Sequence, residues 1–155
     1  MLIYIGADHR GFAHKEAIKK HLDSSGYEVV DFGAKTLKEG DDYTEFAVDV
    51  AKQVSKDPSL GKGILLCGSG VGMDIVANKF RNVRASLCFS PDHALAARND
   101  DDANILVIPA DFVDEQTALQ IVATWLQSSF SSESRHARRL KKLEELERRV
   151  TNYYE

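Results

Sequence analysis

The stretch from Gly63 to Lys79, which reads GILLCGSGVGMDIVANK, does most to limit what this chain can fold into. Ile64 to Leu66 are typical of the end of a buried strand, and Met73 to Lys79 have the apolar spacing of a helix. Three glycines at alternate positions lie between them and predict a tight turn: Gly68, Gly70 and Gly72. The stretch therefore predicts a strand, a glycine loop and the start of a helix in immediate succession.

The predicted loop has the chemistry of an anion-binding turn. A helix start leaves several backbone N–H groups free, and the helix dipole adds positive potential, so both attract anions. Cys67 lies at the end of the strand against that field, where a thiolate is favoured over a thiol. A lone cysteine is more often a buried side chain beside a packing turn, but such a turn rarely needs three glycines. The pattern therefore predicts a catalytic centre with Cys67 as nucleophile or base.

The rest of the chain alternates between strand and helix patterns. Further strands are predicted at 2–6, 27–32, 83–89 and 104–108, and further helices at 12–22, 46–54, 114–126 and 134–149, with a short helix that begins near Pro91. This alternation predicts an α/β fold whose parallel sheet carries helices on both faces. The length of 155 residues fits one domain, so we expect residues 1–155 to form a single unit.

Composition excludes several classes of protein. A net charge of -4 gives no sign of nucleic-acid binding, and no apolar run approaches the roughly 20 residues of a membrane span. Cys67 and Cys88 are the two cysteines, too few for a disulfide framework, and we expect Cys88 to be a buried spectator. The first residues enter a strand directly and do not resemble a signal peptide. These features favour the reducing cytoplasm.

In a parallel α/β sheet, ligands bind beyond the carboxyl ends of the strands. Asp8 and His9 follow the first predicted strand, where they could position a hydroxyl or transfer a proton, or simply cap a helix and lie at the surface. Tyr43 closes the loop after the second strand and could equally be a packing residue. Asp100 to Asp102 precede the fifth strand and are either a solvated turn or part of the site. No histidine or cysteine joins that run, so we expect no metal there.

Several motifs together resemble the ribose-5-phosphate isomerase B family, which includes the related galactose-6-phosphate isomerase subunits. The motifs are GADHRGF, DDYTEFA, GILLCGSGVGMDIVANK, VRASLC, DANIL and RHARR, and they cover nearly the whole chain. The resemblance implies a Rossmann-like three-layer sandwich with a five-stranded parallel sheet. It also implies an aldose–ketose isomerase that uses no metal and no cofactor, assembled as a homodimer or homotetramer with active sites shared between subunits.

The resemblance assigns roles to the residues of the glycine loop. Cys67 would be the base that moves a proton between C1 and C2 of the sugar, and the Ser69 hydroxyl would assist opening of the sugar ring. The enediolate oxygen would be held by backbone amides, an oxyanion hole contributed by five residues. These residues are Gly68, Ser69, Gly70, Val71 and Gly72.

The resemblance also assigns residues that recognise the substrate. Asp8 and His9 match residues that contact sugar hydroxyls, and Tyr43 matches a tyrosine at the edge of the site. Arg135 and Arg139 match arginines that one subunit lends to its neighbour to bind phosphate, for which a guanidinium fork is well suited. The last predicted helix, about 134–149, would therefore reach the partner subunit.

Three positions depart from the family pattern. Asp100, Asp101 and Asp111 occupy places where histidine, asparagine and arginine are usual, and the histidine is the usual acid for ring opening. Each charge reversal near a phosphate should cost on the order of 1 kcal/mol or more. The departures predict a raised Michaelis constant for ribose 5-phosphate, with Asp100 or Asp101 accepting hydrogen bonds from hydroxyls.

Alternative substrates and functions therefore stay open. The leading hypothesis is interconversion of ribose 5-phosphate and ribulose 5-phosphate. Another isomerase substrate is the first alternative: a tetrose phosphate, a hexose phosphate such as galactose 6-phosphate, or an unphosphorylated sugar. A non-catalytic sugar-phosphate-binding subunit is the second, against which the intact Cys67 loop argues. A nucleotide-binding module has little support, because no G-x-G-x-x-G motif follows the first strand.

Overall fold

A computed structural model of the chain describes residues 1–152 as an alternation of strands and helices. The strands are β1 (Leu2–Ala7), β2 (Glu28–Asp31), β3 (Gly61–Cys67), β4 (Ala85–Leu87) and β5 (Ile105–Pro109). The helices are α1 (Phe12–Ser24), α2 (Tyr43–Lys56), α3 (Val71–Ala77), α4 (Pro91–Asp101), α5 (Glu115–Gln127) and α6 (Ser134–Asn152).

The five strands form one sheet in the order β2-β1-β3-β5-β4, and every neighbouring pair is parallel. The central strand β3 pairs with β1 on one side, where Ile64 lies opposite Ile5, and with β5 on the other, where Leu65 lies opposite Val107. Because all strands run the same way, their carboxyl ends meet at one edge of the sheet. The expected five-stranded parallel α/β fold is confirmed.

The side chains of β3 alternate between two apolar layers, as the period of a strand requires. Ile64 and Leu66 belong to the layer formed with α1, α4 and α5, in which Trp125 is fully buried. Leu65 and Cys67 belong to the opposite layer, formed with α2 and α3. Burial on both faces explains why β3 reads as a continuous apolar run, and it produces the expected three-layer sandwich.

The bounds of most elements lie close to the predicted ones, and the fourth strand differs most. The pattern predicts strand at 83–89, but β4 is limited to Ala85–Leu87 at the edge of the sheet. Before it, the Arg84 N–H donates to the Asn104 side-chain oxygen at 2.8 Å. A hydrogen bond to a side chain thus takes the place of the backbone hydrogen bond between strands at this position. Helix α2 begins three residues before its apolar stripe, because the Asp42 side chain accepts from the N–H of Thr44 at 3.1 Å and caps it.

Helix α6 lies along the edge of the molecule beside β4. Its Glu147 side chain accepts a hydrogen bond from the Asn82 N–H at 2.7 Å, and a groove of about 560 Å³ separates the helix from the segment 78–86. Leu143 and Leu146 on this helix are 48% and 55% exposed, so it is not a core helix. No helix within residues 1–152 is both long and apolar enough to cross a membrane.

Candidate active site

The carboxyl ends of β1, β3 and β5 bring three loops together at one edge of the sheet. Asp8 follows β1 and its N–H donates to the Leu66 carbonyl at 3.3 Å. The loop after β5 is tied to the loop after β3, since the N–H of Ala110 donates to the Cys67 carbonyl at 2.9 Å. The Asp111 N–H donates in the same way to the carbonyl of Gly68 at 3.0 Å. These backbone bonds fix the surroundings of Cys67.

Other residues surround each glycine of the loop closely. Gly70 has a φ of +76°, and a Cβ atom there would lie 2.3 Å from a methyl carbon of Leu87. A Cβ on Gly72 would lie 2.5 Å from the ring of Tyr43, and one on Gly68 would lie 2.6 Å from the Nε of Arg10. The positive φ requires glycine at position 70, whereas at Gly68 and Gly72 the nearest atoms belong to the outer parts of side chains that could shift.

Cys67 is 5% exposed, and its sulfur accepts hydrogen bonds from the N–H groups of Met73 and Gly70. Burial raises the pKa of this thiol above its ordinary value, and the carboxylates of Asp8 and Asp111 add to the rise, while the two amides lower it. The expectation that the thiolate is favoured over the thiol is wrong for this chain by itself, because desolvation outweighs the helix start. Burial raises the pKa of Cys88 as well.

Asp8 is buried at the start of the segment that leads into α1. Its Oδ1 atom accepts from the N–H groups of Arg10 and Gly11, each at 3.0 Å. Burial raises the pKa of Asp8, although those amides and the nearby His9 act to lower it. Asp8 therefore closes the turn before α1, as one interpretation of the sequence held, and it also lies near enough to Cys67 to affect the thiol.

Tyr43 and Ser69 lie on the rim of the same edge. Tyr43 is the first residue of α2, is 37% exposed, and lies against Gly72 of the glycine loop. Ser69 is exposed, and its Oγ is a weak acceptor for the Val71 N–H at 3.4 Å. Both residues are thus brought to the loop that carries Cys67, as their predicted roles require.

Two further residues at this edge were missed by sequence reasoning. Arg10 forms an ion pair with Asp111, with distances of 2.6 and 2.8 Å from its Nη2 and Nε atoms to Oδ2. Asp41 accepts hydrogen bonds from His9. Arg10 lies in the GADHRGF motif and Asp41 is the first residue of the DDYTEFA motif, so both belong to motifs that the sequence analysis identified. Their partners could not be read from sequence, because they are 101 and 32 residues away.

The three aspartates before β5 lie at the amino ends of the strands, opposite the end where Cys67 lies. Helix α4 runs back from the carboxyl ends of the strands, and Asp100 to Asp102 end it where β5 begins. Asp102 pairs with Arg84 and Arg98, each at 2.8 Å, which gives it a structural role. Asp101 lines the groove beside α6. Asp100 and Asp101 are therefore not beside Cys67 of their own chain.

The predicted phosphate-binding arginines lie near these aspartates rather than near Cys67. The Ser131 N–H donates to the Asn99 carbonyl at 3.0 Å and places the start of α6 against the end of α4. His136 is 1% exposed, within 2.8 Å of Ser131 Oγ and 3.7 Å of Asp100 Oδ1. On either side of it, Arg135 and Arg139 remain exposed.

The predicted site residues thus form two groups, one at the carboxyl ends of the parallel strands and the other at their amino ends. The first group, called here the cysteine edge, consists of Asp8, His9, Tyr43, Cys67 and the loop 68–72. The second group, called here the arginine edge, consists of Asp100, Asp101, Arg135 and Arg139. Within residues 1–152, no group of three or more His, Cys, Asp or Glu side chains is arranged to hold a metal ion.

Comparisons with known proteins agree on one family. The family model described as Ribose/Galactose Isomerase matches residues 3–143 of the chain. The ribose-5-phosphate isomerase B of Escherichia coli is 38% identical over 147 residues, which cover 95% of this chain and 97% of that protein.

Solved structures extend the similarity to three dimensions. The ribose-5-phosphate isomerase B of Mycoplasma genitalium with bound ribulose-5-phosphate has a TM-score of 0.91 and 38% identity, covering 95% of this chain and 96% of its own. The ribose-5-phosphate isomerase B of Clostridium thermocellum also has a TM-score of 0.91, with 41% identity over 97% of this chain and 99% of its own. The same fold is therefore shared across nearly the full length of both proteins.

Proposed function

Since the chain belongs to the ribose/galactose isomerase family and is an aldose–ketose isomerase, we propose that it interconverts ribose 5-phosphate and ribulose 5-phosphate. The solved relative from Mycoplasma genitalium, which carries ribulose-5-phosphate, supports this choice of sugar. We further propose that residues 1–155 act as one isomerase domain. Cys67 and Cys88 are both buried and free, which suits a reducing compartment, so we assign the enzyme to the cytoplasm.

The observation that carries the mechanism is the pair of N–H groups, from Gly70 and Met73, that point at the Cys67 sulfur. The Cys67 thiolate takes the proton from C2 of the open-chain aldose, and the electron pair of the broken C–H bond forms the C1–C2 double bond. The proton of the C2 hydroxyl passes to the C1 oxygen, the resulting thiol returns its proton to C1, and the C2 oxygen becomes the ketone. Negative charge on the intermediate is held by the backbone amides of residues 68–72, which are placed before the reaction starts.

Burial of Cys67 both hinders and serves this mechanism. It raises the pKa of the thiol, so the free enzyme holds little thiolate at neutral pH. It also removes water from around the sulfur, which makes the thiolate a stronger base once it forms.

Substrate recognition is proposed to need a second subunit. The arginine edge carries exposed guanidinium groups, yet it lies across the sheet from Cys67 of the same chain. A neighbouring subunit could bring Arg135 and Arg139 to the cysteine edge, where they would bind the phosphate as bidentate donors. Asp100 and Asp101 would arrive beside them and accept hydrogen bonds from sugar hydroxyls. The active unit is then a homodimer or a larger assembly of dimers.

A different sugar is the second candidate, and one observation favours it. The Asp111 carboxylate lies beside Gly68 and pairs with Arg10. Because this pair is neutral overall, the cysteine edge offers the phosphate less positive charge than Arg10 would offer without Asp111. Purified protein should first be incubated with ribose 5-phosphate, and ribulose 5-phosphate should be followed by NMR. Faster turnover of a tetrose phosphate, a hexose phosphate or a free sugar in the same assay would replace the proposed substrate.

A further inference from the structure

Asp41 and His9 form a hydrogen-bonded pair at the cysteine edge. The Oδ1 atom of Asp41 lies 2.8 Å from His9 Nδ1 and also accepts from the His9 N–H at 2.9 Å. His9 directly follows Asp8, and β1 and β3 are in register with Ala7 opposite Leu66, so the pair lies next to the Cys67 loop. Asp41 thus holds both the backbone and the ring of His9.

The Asp41 carboxylate is buried for this purpose. Its side chain is 8% exposed, and its second oxygen, Oδ2, is buried without a hydrogen-bond partner among the described residues. Burying an unpaired polar atom costs free energy. Holding the Asp41 carboxylate against His9 therefore lowers the stability of the folded state. An apolar side chain of similar size at this position would cost less free energy.

The pair determines which nitrogen of His9 is available. A carboxylate only accepts hydrogen bonds, so Nδ1 must carry a proton and donate it to Asp41. In the neutral ring the lone pair is then on Nε2, which makes no hydrogen bond within residues 1–152. The side chain of His9 is 28% exposed, so this nitrogen can be reached by a ligand. The charged groups that face the ring are the carboxylates of Asp8 and Asp41.

We propose that Asp41 is a positioning residue that makes His9 the proton carrier for opening the sugar ring, an inference that rests on the proposed function. Neutral His9 Nε2 takes the proton from the anomeric hydroxyl, the C1–O4 bond breaks, and its electron pair goes to the ring oxygen. The imidazolium then gives the same proton to that oxygen, which leaves an open-chain aldehyde and neutral histidine. Both oxygens are bonded to C1, so one nitrogen serves them in turn.

The test separates ring opening from proton transfer at C1 and C2. Ribose 5-phosphate is mainly a closed ring, whereas ribulose 5-phosphate, with its 5-hydroxyl phosphorylated, stays open. We expect Asp41→Asn to lower kcat/KM for ribose 5-phosphate about tenfold or more, as loss of an oriented acid–base group does. Exchange of the C1 proton of ribulose 5-phosphate with D2O should change less than about threefold, because that step needs no ring opening. Asp41→Glu should restore part of the loss.

The neighbouring Asp42 provides a matched control. Asp42→Asn makes the same change of charge one residue away and keeps a good helix cap, so both rates should stay near those of the wild type. An Asp41→Asn enzyme whose two rates are unchanged, or fall by the same factor, overturns the inference. A wild-type enzyme that neither isomerises nor exchanges overturns the proposed function, and the inference with it.

A second measurement applies even if the Asp41 variants fold poorly. The ¹⁵N spectrum of the wild-type protein, recorded at a pH where His9 is neutral, should show the proton on Nδ1. Residence of the proton mainly on Nε2 would overturn the inference, because that nitrogen could then not accept the anomeric proton.

Discussion

The cysteine edge and the arginine edge are built in different ways. At the cysteine edge Asp8 and Cys67 are buried, and hydrogen bonds to backbone N–H groups fix their positions. At the arginine edge Arg135 is 60% exposed, and within residues 1–152 it is held only by a surface pair with Glu133 at 2.8 Å. Arg139 has no partner among the residues that the structure describes. The fold of one chain thus fixes the surroundings of the proposed base and leaves the guanidinium groups proposed for recognition in solvent.

This difference separates stability from function. An exposed ion pair such as Arg135–Glu133 typically contributes only about 0–1 kcal/mol, so substitutions at the arginine edge should leave the folded state intact. Under the proposed mechanism, buried groups of the cysteine edge take part in both folding and chemistry. Residues whose substitution affects only activity should therefore concentrate on α6. Substitutions made at one edge at a time, with activity and thermal stability both measured, test this comparison.

The largest effect is expected at the sulfur itself. Cys67→Ala removes the proposed base and leaves the amides of the glycine loop in place. We expect kcat/KM for ribose 5-phosphate to fall by about 10² to 10⁴, the range for loss of a general base. Exchange of the C2 proton with solvent, followed by NMR, should fall equally. A variant within a few-fold of wild type would show that another group is the base.

Cys88 is the control for that substitution. It is also buried, and burial also raises its pKa, but its sulfur lies 3.6 Å from Ser86 Oγ instead of facing the amides of the glycine loop. Cys88→Ala should therefore leave turnover nearly unchanged, with a modest loss of thermal stability from the lost packing. Equal losses in the two variants would mean that packing, not acid–base chemistry, explains the effect at Cys67.

The second effect concerns the arginine edge. Removing one charged donor from a bound phosphate costs about 1.5–3 kcal/mol, so Arg139→Ala should lower kcat/KM about 10- to 100-fold, mainly through KM. Thermal stability should not change, in contrast to substitutions at the cysteine edge. Lys141→Ala, two residues away on the same exposed helix, should have little effect and serves as the control for loss of a positive charge.

Mixing of variants tests whether the two edges come from different chains. Neither Cys67→Ala nor Arg139→Ala should have much activity alone, but a mixed dimer contains one site with both residues intact. Combined after unfolding and refolding together, they should recover part of the wild-type rate. Absence of recovery, with mixed dimers demonstrated by mass spectrometry, would contradict a site shared between subunits.

The local features of the cysteine edge were predictable from sequence, whereas its long-range contacts were not. The apolar run of β3 and the glycines after it predict the strand, the turn and the position of Cys67. The pKa of Cys67 was predicted in the wrong direction, because the depth of burial depends on α2 and α3 and not on the local motif. The pairing of Asp41 with His9 joins residues 32 positions apart, which local patterns do not report.

The location of Asp100 and Asp101 could have been found from the order of elements. They stand between a helix and the start of a strand, and in a parallel sheet that junction is opposite the ligand-binding edge. They were predicted to contact the substrate beside Cys67 because they match positions that do so in the family. The order of elements places them away from Cys67 of their own chain, so the proposed site that joins them to Cys67 needs a second chain.

The third effect is a pH dependence of the cysteine edge. Burial raises the pKa of Cys67, so below that pKa the thiolate fraction grows about tenfold for each unit of pH. The rate of C1 proton exchange in ribulose 5-phosphate should therefore rise between pH 6 and pH 9. Arg139→Ala should lower the whole curve without changing its slope. A flat profile in the wild type would mean that formation of the thiolate does not limit the reaction.

The smallest effect is expected from Asp111, the carboxylate that lies against the glycine loop. Asp111→Asn removes one negative charge beside Gly68 and releases Arg10, while the exposed pair it breaks contributes little stability. A gain of roughly 0.5–1 kcal/mol in phosphate binding corresponds to a KM about two- to fivefold lower for ribose 5-phosphate. The KM of a free sugar should stay the same, and the decrease in the KM of ribose 5-phosphate should be smaller in high salt because screening weakens the charge effect.

Asp23→Asn, an exposed substitution at the far end of α1, is the control and should change neither KM. A higher KM in Asp111→Asn would mean that Asp111 holds Arg10 in place for the substrate, and the cysteine edge would then contribute to phosphate recognition without help from α6.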